Sequence, residues 1–460
     1  MRIYTKSMDS ANTKRNLRFA ADPLRRLTSH GDWPEDSALN PASNLLETGE
    51  GETRPITHRK GEGSGMRRQA SRANQNWIFD NFLKLSDNED VLHPGIMGTR
   101  YERGFRHQDL EAVYTKVSGR RSIPLLWGKQ GALQEKKARA AEEAGNLVTA
   151  AMHYNRAGLC YGRGQHLIPV DGHPRKKEYY AGVSRCFDKM REVRGGDIQK
   201  HQVEFDPGKN AYFYYWPQEG GEPRPTVLLI PGMDMIKEDG LLPYNNWFHA
   251  RGMNFAIMDG PGQGECNINQ VWVDHHNYAR AGSRVIDWLA GREEVDSSKI
   301  GIMGMSMGSR WTVEIAAQDD RVKAVVGQMA NVGPSDIIFD QAQPNFKRIY
   351  MYMTNILEED AFDEFVEERD SIWLPIVSKM KSNYLLVAGD MDELCTPDDI
   401  DVFFAHLTCP RELWLYEGVF HPMGEVAADM YPAIADWMLH TLNNGLPADH
   451  NKRVIVPEGG

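Results

Sequence analysis

The chain has 460 residues, 41% hydrophobic and 25% charged, with a formal net charge of −11. That length buries a sizeable core with room for an accessory domain, while the acidic balance, without a basic stripe of interleaved aromatics, argues against a nucleic-acid partner. No run approaches the roughly 18 apolar residues of a membrane span, and residues 1–20 lack the uninterrupted apolar stretch of a secretory signal.

Residues 1–75 are rich in Arg, Ser, Gly, Asn and Thr, and Gly49-Glu50-Gly51-Glu52 and Gly61-Glu62-Gly63-Ser64-Gly65 read as linkers. An extended or partly disordered arm is expected there. Residues 76–200 carry helical signals. Ala132–Ala144, Leu147–Tyr161 and Arg175–Val193 have 3.6-type spacing, broken at Gly145-Asn146 and Gly162-Arg163-Gly164. No 34-residue repeat recurs, which sets aside a tetratricopeptide array. A helical domain covering the mouth of a sheet is the expected arrangement.

The core is expected over 201–445, opening on two strand-like runs at 202–205 and 211–216 that suggest an antiparallel edge hairpin. Runs near 226–230, 253–258, 299–303, 322–327, 383–388 and 411–416 then alternate with helical segments, the pattern of a mostly parallel α/β sheet flanked by helices. The stretch 333–381 is longer than one helix needs, and its aromatics suggest a helical cap insertion. Residues 446–460 read as a C-terminal tail.

Gly304-Met305-Ser306-Met307-Gly308 falls where a buried strand hands over to a helix, the context of a nucleophile elbow. The glycines are needed because a Cβ at either position would strike the neighbouring strand or helix, and the helix that follows aims its N-terminal amides at the site. Ser306 then needs a base, an acid to orient the base, and an oxyanion hole. In chain order, Asn383–Ala388 reads as a strand ending in Gly389-Asp390-Met391-Asp392-Glu393, where Asp390, Asp392 and Glu393 compete as the acid, Glu393 reading as a solvated loop charge. His421, in the loop after 412–416 and before a closing helix, is placed as the base. It is one of 15 histidines; His275 and His276 read as structural or peripheral. The backbone amides of Met307, after the nucleophile, and Met233, in the loop after 226–230, are placed as oxyanion donors. Five cysteines without C-x-x-C spacing suit free thiols in a reducing compartment, and Cys266 and Cys395 read as neutral packing residues. No metal site and no cofactor are expected, and the localisation expected is cytoplasmic.

Three further stretches carry a resemblance: Pro231-Gly232-Met233-Asp234-Met235-Ile236-Lys237-Glu238-Asp239, Asp259-Gly260-Pro261-Gly262-Gln263-Gly264-Glu265, and the helical Ala150–Gly158. With these the chain resembles, over about 76–445, a group of α/β-hydrolases that includes 2,6-dihydroxypseudooxynicotine hydrolase, the fungal heptaketide-shortening pigment hydrolases and the fermentation/respiration-switch-type proteins. The resemblance implies an α/β-hydrolase core with a helical N-terminal part, and a homodimer. It favours Asp392 as the acid, three residues after Gly389, with Asp390 as fallback. It implies cleavage of a carbon–carbon bond beside a carbonyl in an aromatic or polyketide-like small molecule, as in secondary metabolism. The same residues would serve a carboxylesterase, a thioesterase, or a non-hydrolytic acyltransferase or cyclase; a regulatory binding protein with a vestigial site is the reading from another class. Asp234, Phe339 and Tyr350 are the candidate substrate contacts, in a largely apolar pocket expected between core and helical domain.

Overall fold

The computed structural model describes residues 93–342 and 344–458, preceded by Asp80, Asn81, Leu83 and Leu85. The arm expected over 1–75 lies outside the described residues.

The N-terminal part is helical: α1 (Ile96–Glu102), α2 (His107–Tyr114), α3 (Ser122–Glu143), α4 (Leu147–His166) and α5 (Pro174–Val193). α4 packs between α3 and α5. Small residues set that closeness. A Cβ on Gly131 of α3 or on Gly182 of α5 would come within 2.8 Å of the Tyr161 ring of α4, so the ring is held between two glycines. The Tyr161 hydroxyl donates to Glu135 at 2.9 Å, which also pairs with Arg185. Its arginine partners hold the Glu135 carboxyl at about 2, against the cost of burial. The three helices are thus tied by an ionic latch as well as by apolar contact.

A nine-stranded sheet follows, in the order β1-β2-β4-β3-β5-β6-β7-β8-β9. β1 (Gln199–Asp206) and β2 (Lys209–Trp216) form the edge hairpin, and β2 runs antiparallel to β4 (Asn254–Asp259). From β4 through β3 (Arg224–Ile230), β5 (Val295–Met305), β6 (Val322–Gln328), β7 (Asn383–Gly389) and β8 (Arg411–Tyr416), neighbouring strands are parallel. The central strands are buried on both faces, which explains their near-continuous apolar sequences. Short α6 (Gly264–Ile268), then α7 (Asn277–Ala290) and α8 (Met307–Ala316), accompany β4 and β5. Between β6 and β7 come a short π-helical turn (Ile337–Gln341), α9 (Pro344–Thr354), α10 (Glu359–Ser371) and α11 (Trp373–Val377). α12 (Pro397–His406) and α13 (Ala427–Asn444) flank β8.

The C-terminal tail differs from the sequence reading. Asn451–Val456 forms β9, parallel to β8, and extends the sheet. Its half-exposed edge position leaves no alternating apolar pattern to announce it, only the brief Val454-Ile455-Val456 run.

One hydrophobic cluster joins the helical part to one face of the sheet, from Trp127, Tyr154 and Phe187 to Tyr214, Leu229 and Met305. A second fills the other face with α7, α8 and the 333–381 helices. The two methionines flanking Ser306 divide between them, Met305 in the first and Met307 in the second. The Ser306 turn is therefore anchored to both cores.

Candidate active site

Ser306 sits between β5 and α8 with φ 53° and ψ −122°, a left-handed conformation strained for any residue with a Cβ. The flanking glycines make the turn possible. A Cβ on Gly304 would lie 2.1 Å from the Gly308 carbonyl oxygen, and one on Gly308 would lie 2.4 Å from that of Ile230. Ser306 keeps partial solvent access.

His421 comes from the loop after β8 and is 2% exposed. Its Nε2 lies 2.8 Å from Ser306 Oγ. On the other side, Nδ1 lies 2.9 and 2.8 Å from the two Asp392 carboxylate oxygens. With Nδ1–H donating to a carboxylate, Nε2 is free to accept the serine proton. Asp392, in the loop after β7, is fixed in turn by the Leu394 and Cys395 backbone N–H groups, which donate to its Oδ1 at 2.8 and 3.1 Å. Burial alone would lower the imidazole pKa. Asp392, by charge and hydrogen bond, with Glu393 and Asp234 adding, carries it above its ordinary value.

The other carboxylates of that loop are elsewhere engaged. Asp390 accepts from the Gly418 N–H at 2.7 Å and makes no bond to the imidazole. Glu393 is exposed, as expected of a loop charge, and it is also engaged beside the imidazole. It accepts the His421 backbone N–H at 3.2 Å and pairs with His93 Nδ1 at 2.8 Å, while the His93 ring stacks on that of His421 with centroids 5.9 Å apart. Burial opposes its charge, but His93 and His421 hold it at about 2. The segment after His93 also clasps this loop: Thr99 donates to the Pro422 carbonyl at 2.6 Å.

Met307 heads α8, where the first N–H groups have no intrahelical acceptor. The loop bearing Met233 is pressed against Ser306, since a Cβ on Gly232 would lie 3.2 Å from Ser306 Cβ. Gln263 sets the loop's orientation. Its Nε2 donates to the Gly232 carbonyl at 2.7 Å and to those of Pro231 and Met235 at 3.4 Å, and its Oε1 accepts from Tyr278. Carbonyls drawn toward Gln263 leave amides free to face the opposite way. Lys237, fully buried, closes the loop: its N–H and Nζ both donate to Asp259, and its ammonium pairs with Glu238 and Glu265. Burial works against that ammonium, and Asp259 and Glu238 outweigh it, holding the pKa above the usual lysine range. The D-G-P-G-Q-G-E loop thus acts as scaffold for the loop beside Ser306, a role its sequence did not disclose.

Of the candidate substrate contacts, Asp234 lies near the site. Burial disfavours its charge, but His166, Arg103, Arg163 and Arg100 hold it at about 2, and its field reaches His421. Phe339 and Tyr350 present no surface. They pack on each other and on Phe362 in the second core, so neither touches a ligand in this arrangement. His275 stacks on Phe365 and meets Glu368, apart from Ser306, His421 and Asp392. Cys266 and Cys395 are buried, with burial pushing both thiols up. Among the described residues no three His, Cys, Asp or Glu side chains converge as a metal site requires, and no helix is long and apolar enough to cross a membrane.

The profile of the family described as "Esterase FrsA-like" matches residues 88–358. The chain belongs to that family. Among curated relatives, a 2,6-dihydropseudooxynicotine hydrolase of Paenarthrobacter nicotinovorans is 28% identical over 49% of this chain and 59% of its own length. The hydrolyase poxO of Penicillium oxalicum is 24% identical over 44% and 51%, and the esterase FrsA of Escherichia coli O157:H7 is 23% identical over 47% and 52%. The matched region thus spans between half and three-fifths of these relatives. The crystal structure of the 2,6-dihydroxy-pseudo-oxynicotine hydrolase superposes with TM-score 0.68 at 20% identity, over 77% of this chain and 99% of that one. AbyA5 does so with TM-score 0.53 at 19%, over 69% and 92%. These likenesses establish the α/β-hydrolase fold.

Proposed function

We propose that this FrsA-like chain is a serine hydrolase acting at a carbonyl, with Ser306 as nucleophile, His421 as general base and Asp392 as its orienting acid. The observation that carries the reading is the unbroken Ser306–His421–Asp392 hydrogen-bond chain, with bonds of 2.8 to 2.9 Å on a strained elbow. His421 takes the serine proton, the alkoxide adds to the carbonyl carbon, and the Met233 and Met307 amides receive the developing oxyanion. The tetrahedral intermediate collapses to an acyl-enzyme as the bond to the leaving carbon breaks. The departing carbanion, delocalised as an enolate or ring anion, takes its proton from the imidazolium. Water, deprotonated by His421, then releases the acid and restores Ser306. The bond proposed is a carbon–carbon bond beside a ketone in an aromatic or polyketide-like molecule, as the resemblance implies, with a homodimer as the working assembly.

Esterolysis is the second reading, supported by the family description, since the same steps expel an alkoxide instead. A β-diketone or acyl-phenol and a p-nitrophenyl ester, offered to the same protein with products identified by mass, separate the two. Ser306→Ala is expected to remove turnover by roughly 10³-fold or more and to abolish labelling by a fluorophosphonate, with the melting temperature unchanged. Retention of a tenth of the activity would overturn the assignment.

A further inference from the structure

A cavity of about 30 Å³ opens between the helical part, the Met233 loop and α9, walled by Gln165, His166, Lys176, Met233, Gln263 and Tyr352 among others. It shares Met233 with the loop that presses on Ser306. The next residue, Asp234, stands in the fields of both His166 and His421, so cavity and nucleophile adjoin one short loop. One water needs roughly 10–15 Å³, so the space admits an oxygen-bearing substituent and not a ring. Its wall sets the polar groups of Gln165, Lys176 and Gln263 beside Met233.

Lys176 is the unusual member. It is 6% exposed, and its ammonium donates to the Gln165 carbonyl at 3.2 Å and side-chain Oε1 at 2.8 Å, over the face of the Tyr352 ring. No carboxylate among the described residues forms an ion pair with it; the exposed Asp171 acts only through space. It is the third residue of α5, at the helix end whose dipole repels a cation. Burial lowers its pKa to about 7, and burial pushes the neighbouring His166 down to about 3, against the pull of Asp234. A buried ammonium without a counter-ion is costly. The same helix end and ammonium together suit an anion.

We propose that this cavity is a subsite for an acidic oxygen of the substrate, a carboxylate, phenolate or enolate oxygen set beside the carbonyl that Ser306 attacks, with Lys176 as its cationic partner. This rests on the reading of Ser306 as nucleophile, and it narrows the substrate to a carbonyl compound bearing an acidic oxygen near the bond that breaks. A neutral analogue of the same shape would leave the ammonium unpaired.

The test separates binding from turnover. Ser306→Ala protein is titrated by calorimetry with benzoate and with benzamide, which differ at the acidic oxygen. Benzoate is expected to bind roughly tenfold or more tightly, and Lys176→Met in that background is expected to remove the difference while Lys176→Arg keeps part of it. The melting temperature of Lys176→Met is expected to hold or rise, because a buried unpaired charge is gone; should that variant not fold, Lys176→Gln carries the comparison. Equal binding of the two probes, or a preference that survives loss of the ammonium in folded protein, overturns the subsite. Fluorophosphonate labelling of the unmutated chain tests the nucleophile alone. Its failure beside a Lys176-dependent preference would sink the hydrolase reading and leave the anion site standing.

Discussion

At the scale of single residues, the acid of the proposed triad is the sharpest choice. Asp392→Asn would present an amide to Nδ1 and favour the wrong imidazole tautomer, with an expected loss in kcat of about 10⁴-fold. Asp390→Asn disturbs only the bond from Gly418 and should cost little; the reverse ranking in steady-state kinetics would show that the imidazole is oriented otherwise. Glu393 gives a pH test. His421 is held above its ordinary pKa, so the neutral base, and with it kcat/KM, rises with pH through that raised value. Glu393→Gln removes one of the charges holding it up, and the acid limb of the profile is expected to move to lower pH. A limb that stays in place while kcat falls would assign Glu393 to packing alone. The linkage runs the same way for stability: charged His421 stabilises the fold below its unfolded pKa, and that contribution is lost as pH rises through the folded one. Ser306 and His421 were legible as candidates from their spacing to strand ends, and Asp392 from the family resemblance alone. Glu393 was not, because its partner His93 lies 300 positions away and nothing local marks the bond.

At the scale of elements, the loop beside Ser306 owes its shape to another loop. Gln263 spends its amide on three of that loop's carbonyls, a pattern visible only once β3 and β4 lie side by side. Gln263→Met keeps the volume and removes those bonds. The expected result is a fall in kcat of roughly 10²-fold, with KM little changed, since the donors held in place serve the oxyanion and not the ground state. A change confined to KM would place Gln263 in substrate binding instead. The strands were readable because the central sheet is buried on both faces and its apolar runs are nearly unbroken. β9 escaped because an edge strand solvated on one side carries no such run. The aromatics of 333–381 suggested pocket walls; Phe339 and Tyr350 instead fill the second core, and composition alone does not distinguish an aromatic facing a ligand from one facing its neighbours.

At the scale of the whole molecule, helical part and sheet share one interior. The separation suggested by sequence, with a helical cover over a core beginning near residue 201, allowed a chain starting near Lys200 to fold and lose only its activity on a bulky substrate. The packing argues for a stronger outcome. Phe187 of α5 stacks on Tyr214 of β2, Tyr180 receives a hydrogen bond from Lys237, and Arg103 reaches the Met305 sulfur beside Ser306. An aromatic such as Tyr214 buries roughly 150–250 Å², or about 4–6 kcal/mol at 25 cal/mol/Å², against a total stability of about 5–15 kcal/mol for a domain. Removing the helices would uncover it together with much of the first cluster, and would open the buried Lys237 ion pairs to water. A chain beginning at Lys200 is therefore expected to lack a cooperative thermal transition, bind a hydrophobic dye and elute as aggregate, with no turnover of even a small p-nitrophenyl ester. A monodisperse, cooperatively melting fragment that hydrolyses that ester would show instead that the sheet and its second core suffice to hold Ser306, His421 and Asp392 in register.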